Sequence, residues 1–528
     1  MNSSPLLLLT LCLSCGGETR PTPPAPVGPP PGKPAGSGGP GTPGGRASFD
    51  PGPENLTDAW TAELGAAVDP IPQPPTCPDA DQDGFFAATA CPGADAATLD
   101  CDDQDPTVTP ATERWVRPGP FLMGSSSTQA GADEKPVHVV QMSGYCLERT
   151  EASVADLAAW FLSTGRKPEG ADVRSLDTDG RAELGREAQP AEGLTWAEAD
   201  AFCRSRGKAL PTEAQWEKAA RGGCELGSSP TACDPADLRP YPWGDAAPTC
   251  ALANHQHTGG GVPTLCVSDT SPANDPAANL GPYGHQNLAG NVWEYTADLW
   301  HPHVYGPGRR DPGGPTPGAS ALPHVLRGGG WNTFSTNMRV ANRFTDLVMG
   351  SAVGVRCARP TVEPVPDQPV PLQMVKVSGT LKRDEGSFTG RAVYVVAFDN
   401  EDADPQSGMV PPGRSPVAER RFPPSGATEQ EFSIDVPAGA SYRIFASFDD
   451  GTGNDKDAYR SSSGSGGIGM VQESISTVSG PVEGISITIA KMPKPPPGGR
   501  PPGPPPDGQG PPGPPPNGQG PPNGSPPR

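Results

Sequence analysis

Apolar and polar residues alternate most cleanly in the last quarter of the chain. Phe432, Ile434 and Val436 are separated by polar neighbours, and after a Pro437-Ala-Gly turn the pattern resumes at Tyr442, Ile444, Ala446 and Phe448. A period of two sends every second side chain to one face, so residues 431–436 and 442–448 predict half-buried strands. The apolar runs at 375–381, 392–398 and 485–489 complete an antiparallel β-sandwich over residues 373–490. Earlier the period changes. Thr195-Trp-Ala-Glu198, with Leu194 before it, is a capping box, and Trp196, Ala199 and Cys203 fall along one side of the helix it opens. Thr212 with Gln215 forms a second box, followed by Trp216, Ala219 and Ala220 and closed by Gly222-Gly223. Periodic runs elsewhere are short.

Composition limits how much of the chain can be core. Of 528 residues, 68 are Gly and 73 are Pro while aromatics are 6%, so part of the length is not packed. The net charge of -21 disfavours nucleic acid as a partner and suits a cation-tolerant extracellular body. Residues 16–76 are Pro- and Gly-rich and predict an extended, flexible stalk, with a short helix expected near 59–67. Residues 361–372 read as a Pro-Val linker. Residues 491–528 read as a disordered tail, because glycine does not fall strictly at every third position as a collagen helix needs.

The start of the chain reads as an export signal. Leu6 to Leu13 is a short apolar run, too short to span a membrane as a mature helix, and Ser14-Cys15-Gly16-Gly17 resembles a bacterial lipoprotein cleavage site. Residues 1–15 are then the signal peptide and Cys15 the lipidated residue. That predicts an outer-membrane lipoprotein of the cell envelope, with a plain secretory signal as the alternative. The ten remaining cysteines are an even number in an exported chain and predict disulfides. Cys224 with Cys233, and Cys250 with Cys266, are local staples by proximity, whereas Cys77, Cys91, Cys101 and Cys146 can be joined in more than one way.

Residues 77–115 are an acidic module bracketed by cysteines. Asp79, Asp81 and Asp83 alternate ahead of Gly84, the first half of a calcium loop, but no glutamate stands at the twelfth position and the loop is not an EF-hand. Asp100, Asp102, Asp103 and Asp105 supply a second cluster that can close the same site. The pattern resembles the short Asp- and Cys-rich metal-binding repeats of bacterial surface proteins.

The densest stretch is Asn287-Leu-Ala-Gly-Asn-Val-Trp-Glu294, and it stands among further motifs. These are Phe121-Leu-Met-Gly124, Pro136-Val-His138, Leu210-Pro-Thr-Glu-Ala-Gln-Trp-Glu217, Tyr241-Pro-Trp-Gly244, Leu326-Arg-Gly-Gly-Gly-Trp331 and Gly354-Val-Arg-Cys-Ala-Arg359. In that order they resemble the formylglycine-generating enzyme, or sulfatase-modifying factor, family, over about 116–360. The resemblance implies a C-type-lectin-related domain, mostly irregular chain around a few helices and small sheets. With the sandwich it makes the fold class α+β. It also implies a Cys203–Cys357 bridge. The family's second bridge would fall on Ala220 and Val340, where both cysteines are missing. It further implies calcium held by Asn287 and Glu294 side chains with Gly290 and Val292 carbonyls, and a second site opened by Asn254, with Asp269 or Asp275 as the acidic partner. Trp331, Asn332, Arg339, Asn342 and Arg343 would line the substrate groove, or equally form core and rim.

The same resemblance bears on catalysis. Formylglycine-forming members hold copper(I) with two cysteines after the Gly-rich segment, and here those positions fall on Thr333 and near Met338. A hydroxyl and a thioether do not replace two thiolates for copper(I). Iron would need a histidine-and-carboxylate set, for which His255, His257, His301 and His303 are the material, with no third ligand evident. The reading is therefore a cell-surface, calcium-stabilised binding or structural protein with a peptide or glycan ligand. The alternative is an oxidoreductase of the formylglycine-generating or non-haem-iron type.

Overall fold

The computed structural model describes residues 77–490 apart from 92–93, 96, 170–174, 228–232, 260–261, 276–277, 301–308, 316–322, 347–351, 363, 368–373, 391, 404–409, 411–413, 415, 439, 450–467, 471–473 and 478–479. Cys15, the stalk with its expected helix, the C-terminal tail, and His301 and His303 lie outside the described residues.

Three helices open on side-chain caps. Helix α1 spans Val154–Thr164, α2 Trp196–Ser205 and α3 Glu213–Arg221. The hydroxyls of Ser153, Thr195 and Thr212 accept from the third helical N–H while Asp156, Glu198 and Gln215 reach back, which is worth about 1 kcal/mol per cap. Helices α1 and α2 bury Leu157, Phe161, Phe202 and Cys203 against Trp293, Tyr295, Phe344 and Val355. Helix α3 buries Trp216 and Ala219 in a second cluster with Phe121, Val140, Tyr145 and Leu288. Ala220 and Val340, where the family's second bridge would fall, both lie in this apolar cluster.

Small sheets carry the rest of the domain. In a four-stranded sheet Trp293–Leu299 lies between His324–Arg327 and Val353–Gly354, with Phe344–Thr345 outermost. Gly119–Met123 pairs with His138–Met142, and Tyr145–Glu148 lies between Glu113–Val116 and Ala358–Pro360. The Cys203–Cys357, Cys224–Cys233 and Cys250–Cys266 bridges are present, and the open cysteines pair as Cys77–Cys91 and Cys101–Cys146. The acidic module is not a separate body. Cys101 is bridged to Cys146, and Cys91 and Leu99 share a buried cluster with Trp115 and Cys146.

Beyond the main domain, Met374–Arg383 pairs antiparallel with Glu429–Pro437 and parallel with Val482–Ile489. A second sheet places Ala392–Asp399 between Ala418–Phe422 and Ser441–Asp449, which also carries Ile468–Met470 and Ile475–Ser476. Phe432, Ile434 and Ile487 of the first sheet share one apolar cluster with Val393, Val395, Ile444 and Phe448 of the second. Gly379 allows the parallel pairing, because a Cβ there would lie 1.9 Å from the Ile485 carbonyl oxygen. Trp300 and Val325 belong to that same cluster, so the joint to the main domain is apolar. A polar clasp lies at this joint, where Ala132 N donates to Asp402 Oδ1 at 2.9 Å. Burial, and then the charge of Asp133, push the Asp402 carboxyl up to about 7. Residues 365–367, read as linker, instead pair with Pro312–Pro315. No helix among the described residues is long and apolar enough to cross a membrane.

Candidate functional site

The chain between Asn287 and Val292 makes a tight turn into the central strand, with φ of 56° at Asn287, 81° at Gly290 and 67° at Asn291. Gly290 is required by close approach as well as by φ, since a Cβ would sit 2.5 Å from the Asn254 carbonyl oxygen. That oxygen accepts from Asn291 N at 2.9 Å, so Asn254, expected to open a separate site, lies against the turn. Asn254 Nδ2 donates to the Asp269 carbonyl at 2.9 Å, while its Oδ1 is buried without a hydrogen-bond partner. An orphaned carboxamide oxygen is the kind of atom a hard cation would satisfy. The Asp269 carboxylate faces Arg186 at 3.1 Å, and Asp275 offers its backbone carbonyl to Gln286 Nε2 at 2.7 Å.

Asn287 and Glu294 have different partners. Asn287 Nδ2 donates to Glu151 Oε2 at 2.8 Å. Glu294 accepts from both ends of the buried Arg356 guanidinium, at 2.7 and 2.8 Å, and from Trp216 Nε1 at 2.7 Å. Glu294 therefore already has a counter-cation. Val292 is buried beneath it. Glu151 also receives Asn291 Nδ2 at 3.1 Å, and burial, opposed by Arg356 and reinforced by Glu294, raises its carboxyl above the ordinary range.

The positions corresponding to the copper thiolates have other roles. Thr333 Oγ1 accepts from Gly330 N at 2.8 Å and donates to Gly330 O at 2.9 Å, closing a local turn. Met338 is wholly buried. Thr333 offers no soft donor and Met338 only a lone, weak thioether, so the pair does not fit copper(I).

Of the two expectations for these five positions, groove lining or core and rim, three positions take the core, although Arg343 also lines a small cleft with Asp133, Glu134 and His138. Arg339, Asn342 and Arg343 are buried, because each is held by carboxylates from elsewhere in the domain. Arg339 forks onto Glu134 at 2.5 and 2.7 Å, Arg343 forks onto Glu213 at 2.7 and 3.0 Å, and Asn342 donates to Glu134 at 3.4 Å. Asn332 is exposed and Trp331 half-buried, its indole directed to Glu192. Tyr241 and Trp243, half-buried and stacked at 5.3 Å, are a further aromatic pair that the sequence reading did not assign to a site, with Tyr241 close enough to Arg339 to feel its charge. The paired aromatics of Tyr-Pro-Trp-Gly were the available signal.

Much of the domain interior is ionic. Arg327 contacts Glu213 at 3.0 Å and also Glu217, and Arg221 contacts Glu217 at 2.7 Å. Asp298 accepts from Glu213 N at 2.8 Å, and burial, then the Glu213 charge, raise its carboxyl far above the usual range.

In the acidic module, ligand oxygens of Asp79, Asp81 and Asp103 lie within 4.8 Å of one another, as do those of Asp81, Asp83 and Asp100. One oxygen each of Asp79, Asp81, Asp83 and Asp100 is buried with no partner, and Asp100 is 1% exposed. Two expected ligands are elsewhere. Asp102 pairs with Arg359 at 3.0 Å, and Asp105 caps its own turn through Thr107 at 2.7 and 3.0 Å. Among the histidines, His324 pairs with Asp346 at 2.8 Å and stacks on Trp196, while His255 and His257 flank the Cys250–Cys266 bridge.

Residues 101–361 match the family model of the sulfatase-modifying factor enzyme 1-like domain. The chain is 30% identical over 294 residues to a formylglycine-generating enzyme of Streptomyces coelicolor, covering 46% of this chain and 86% of that protein. It is also 30% identical over 213 residues to a hercynine oxygenase of Mycolicibacterium thermoresistibile, covering 35% of this chain and 43% of that protein. Among solved structures it is similar to PvdO from Pseudomonas aeruginosa, with a TM-score of 0.37 and 22% identity, over 47% of this chain and 94% of that one.

Proposed function

The chain belongs to the sulfatase-modifying factor family, and from that premise we propose that it uses the family fold for ligand binding at the cell surface and not for copper-dependent oxidation. The observation that carries this reading is the pair Thr333 and Met338, one locked in a turn and the other in the core, where that chemistry needs thiolates. On this reading the protein is a lipoprotein of the bacterial envelope, anchored through Cys15. Its fold is α+β, with the two C-terminal sheets as an accessory sandwich. The ligand, a peptide or glycan, meets the surface around Tyr241, Trp243, Trp331 and Asn332. Full-length protein given copper(I), oxygen and a sulfatase-type cysteine peptide is expected to leave the peptide thiol unchanged by mass spectrometry. Stoichiometric conversion to formylglycine establishes the oxidoreductase alternative in its place.

Calcium is the second part of the proposal. Asp79, Asp81, Asp83, Asp100 and Asp103 would hold it in the N-terminal module, with Asn254 opening a further site at the main turn. Its support is the set of orphaned carboxylate oxygens, whose mutual repulsion a divalent cation would relieve. Calorimetric titration of chelator-stripped protein is expected to give at least one saturable site. Asp81→Asn should weaken it at least tenfold, because Asp81 is common to both carboxylate triads. A flat titration with an unchanged melting temperature refutes this part, since a ligand bound only by the native state must raise stability.

A further inference from the structure

The two histidines beside the Cys250–Cys266 bridge have no role in the proposed function, and their geometry is specific. His257 Nδ1 lies 3.5 Å from Cys250 Sγ and 3.8 Å from Cys266 Sγ. His255 Nδ1 lies 3.4 Å from Cys266 Sγ, and the two imidazole centroids are 6.0 Å apart. The ligand atoms of Cys250, Cys266 and His257 fall within 4.8 Å of one another. A hairpin fixes this arrangement. Gln256–Gly259 pairs with Val262–Leu265, and Cys266 N donates to the His255 carbonyl at 2.9 Å, so His257 stands in one strand with His255 just before it, and Cys266 directly follows the other. His255 is 1% exposed, and its Nδ1 lies 3.0 Å from the Ala253 carbonyl, which holds a proton on that nitrogen, so His255 walls the cluster rather than adding a donor to it.

We propose that Cys250, Cys266 and His257 form a zinc site that is latent while the disulfide is closed and opens when it is reduced. The electron count is simple. A dithiol gives two electrons and two protons to the S–S bond and leaves as its own disulfide, freeing two thiols. Zinc then binds both sulfurs as thiolates and releases those two protons to solvent. Two thiolates and one imidazole, with water completing the tetrahedron, are a borderline-soft donor set that suits zinc. Zn–S bonds of about 2.3 Å put the sulfurs roughly 3.8 Å apart. A covalent S–S bond holds the sulfurs far closer than that, whereas the Cα separation of 5.2 Å is compatible with it. The closed bridge is therefore the lock.

Exposure makes this bridge the first to open. Cys250 is exposed and Cys266 half-buried, whereas each of the other four bridges has at least one buried cysteine. Exchange requires a thiolate to reach a sulfur, so access selects the target. The site also lies against the segment where the family places its copper, since Gln256 N, between the two histidines, donates to the Thr333 carbonyl at 2.9 Å. A metal held here would border the proposed ligand surface.

The test uses the full chain in excess calcium, which fills oxygen-rich sites, before and after mild dithiol treatment and removal of the dithiol. Alkylation mapping is expected to find Cys250 and Cys266 freed first. The reduced form should then take up one zinc per chain beyond the oxidised form, and cobalt(II) as a probe should show thiolate charge-transfer absorption. His257→Ala should weaken that uptake at least tenfold, and Cys250→Ser with Cys266→Ser should abolish it at a temperature where calorimetry shows the variant still folded. The proposal is overturned if protein with both thiols free takes up no zinc, if His257→Ala binds zinc as the wild type does, or if another bridge opens first.

Discussion

Replacing Arg327 by methionine should cost the main domain about 3–5 kcal/mol, the range for leaving a buried charge without its partner. The Arg327 side chain is completely buried. It contacts Glu213 at 3.0 Å and Glu217 through its other arm, and it donates to the carbonyls of Val340 and Asn342 at 2.8 Å. Methionine conserves much of the volume but removes all four interactions. Glu217 would retain Arg221 and Glu213 would retain Arg343, each pair then carrying an unbalanced share of a network designed around three cations. Two carbonyls would also lose their donor, and each orphaned group costs about 1–3 kcal/mol. Equilibrium unfolding in urea, followed by indole fluorescence, reads the effect because Trp216 stacks under the guanidinium at 5.6 Å. Adding Glu217→Gln to the variant should recover part of the loss, as coupled neighbours are not additive. A loss below about 1 kcal/mol would show that the interior tolerates the charge through water, and the ionic account of this core would fail.

How far the sequence could be read differs between these parts for physical reasons. The helices at Thr195 and Thr212 were legible because a capping box is local, complete within four residues. Helix α1 carries the same device at Ser153, but with Asp156 in the place where Glu or Gln was sought, and it went unread. The strands of the two C-terminal sheets were legible from alternation or apolar runs, except Ala418–Phe422, whose Glu419, Arg420 and Arg421 show no apolar period, and the short Ile468–Met470 and Ile475–Ser476. Glu213, Glu217 and Arg221 follow one another at intervals of four, the pattern of a solvated helical face. All three are buried, because Glu213 and Glu217 meet Arg327 and Arg343, more than a hundred residues away, and Arg221 pairs with the Glu217 so fixed. One sequence does not record such a pairing. The same limit applies to Glu294, whose type and spacing fit an oxygen ligand but whose oxygens meet Arg356. Around the bridge at Cys250, proximity in sequence gave the cysteine pair, and His255-x-His257 was visible as a motif. Only the hairpin brings the two together.

Opening the Cys203–Cys357 bridge should destabilise the chain more than opening any local staple. With Cys203→Ala and Cys357→Ala together, the expected loss is about 5 kcal/mol on the chain-entropy estimate, because the bridge spans 154 residues. The same estimate for Cys224–Cys233, which spans 9 residues, is about 2.6 kcal/mol. The difference, about 2.5 kcal/mol, is the discriminating quantity, since both variants replace buried sulfurs by methyl groups and lose similar packing. The long bridge also ties helix α2 to the final strand of the domain. Cys203 and Cys357 are fully buried beside Phe202 and Val355, and Cys357 N donates to Glu148 Oε2 at 2.9 Å. Freed of the bridge, that end of the chain keeps the Arg356–Glu294 fork and the Ala209–Ala358 pairing, so the variant should fold but melt earlier. Calorimetry of the two double-alanine proteins makes the comparison. Equal losses would mean that loop entropy is not what this bridge supplies, and that the Ala220 and Val340 cluster and the ionic interior already confine the chain end without it.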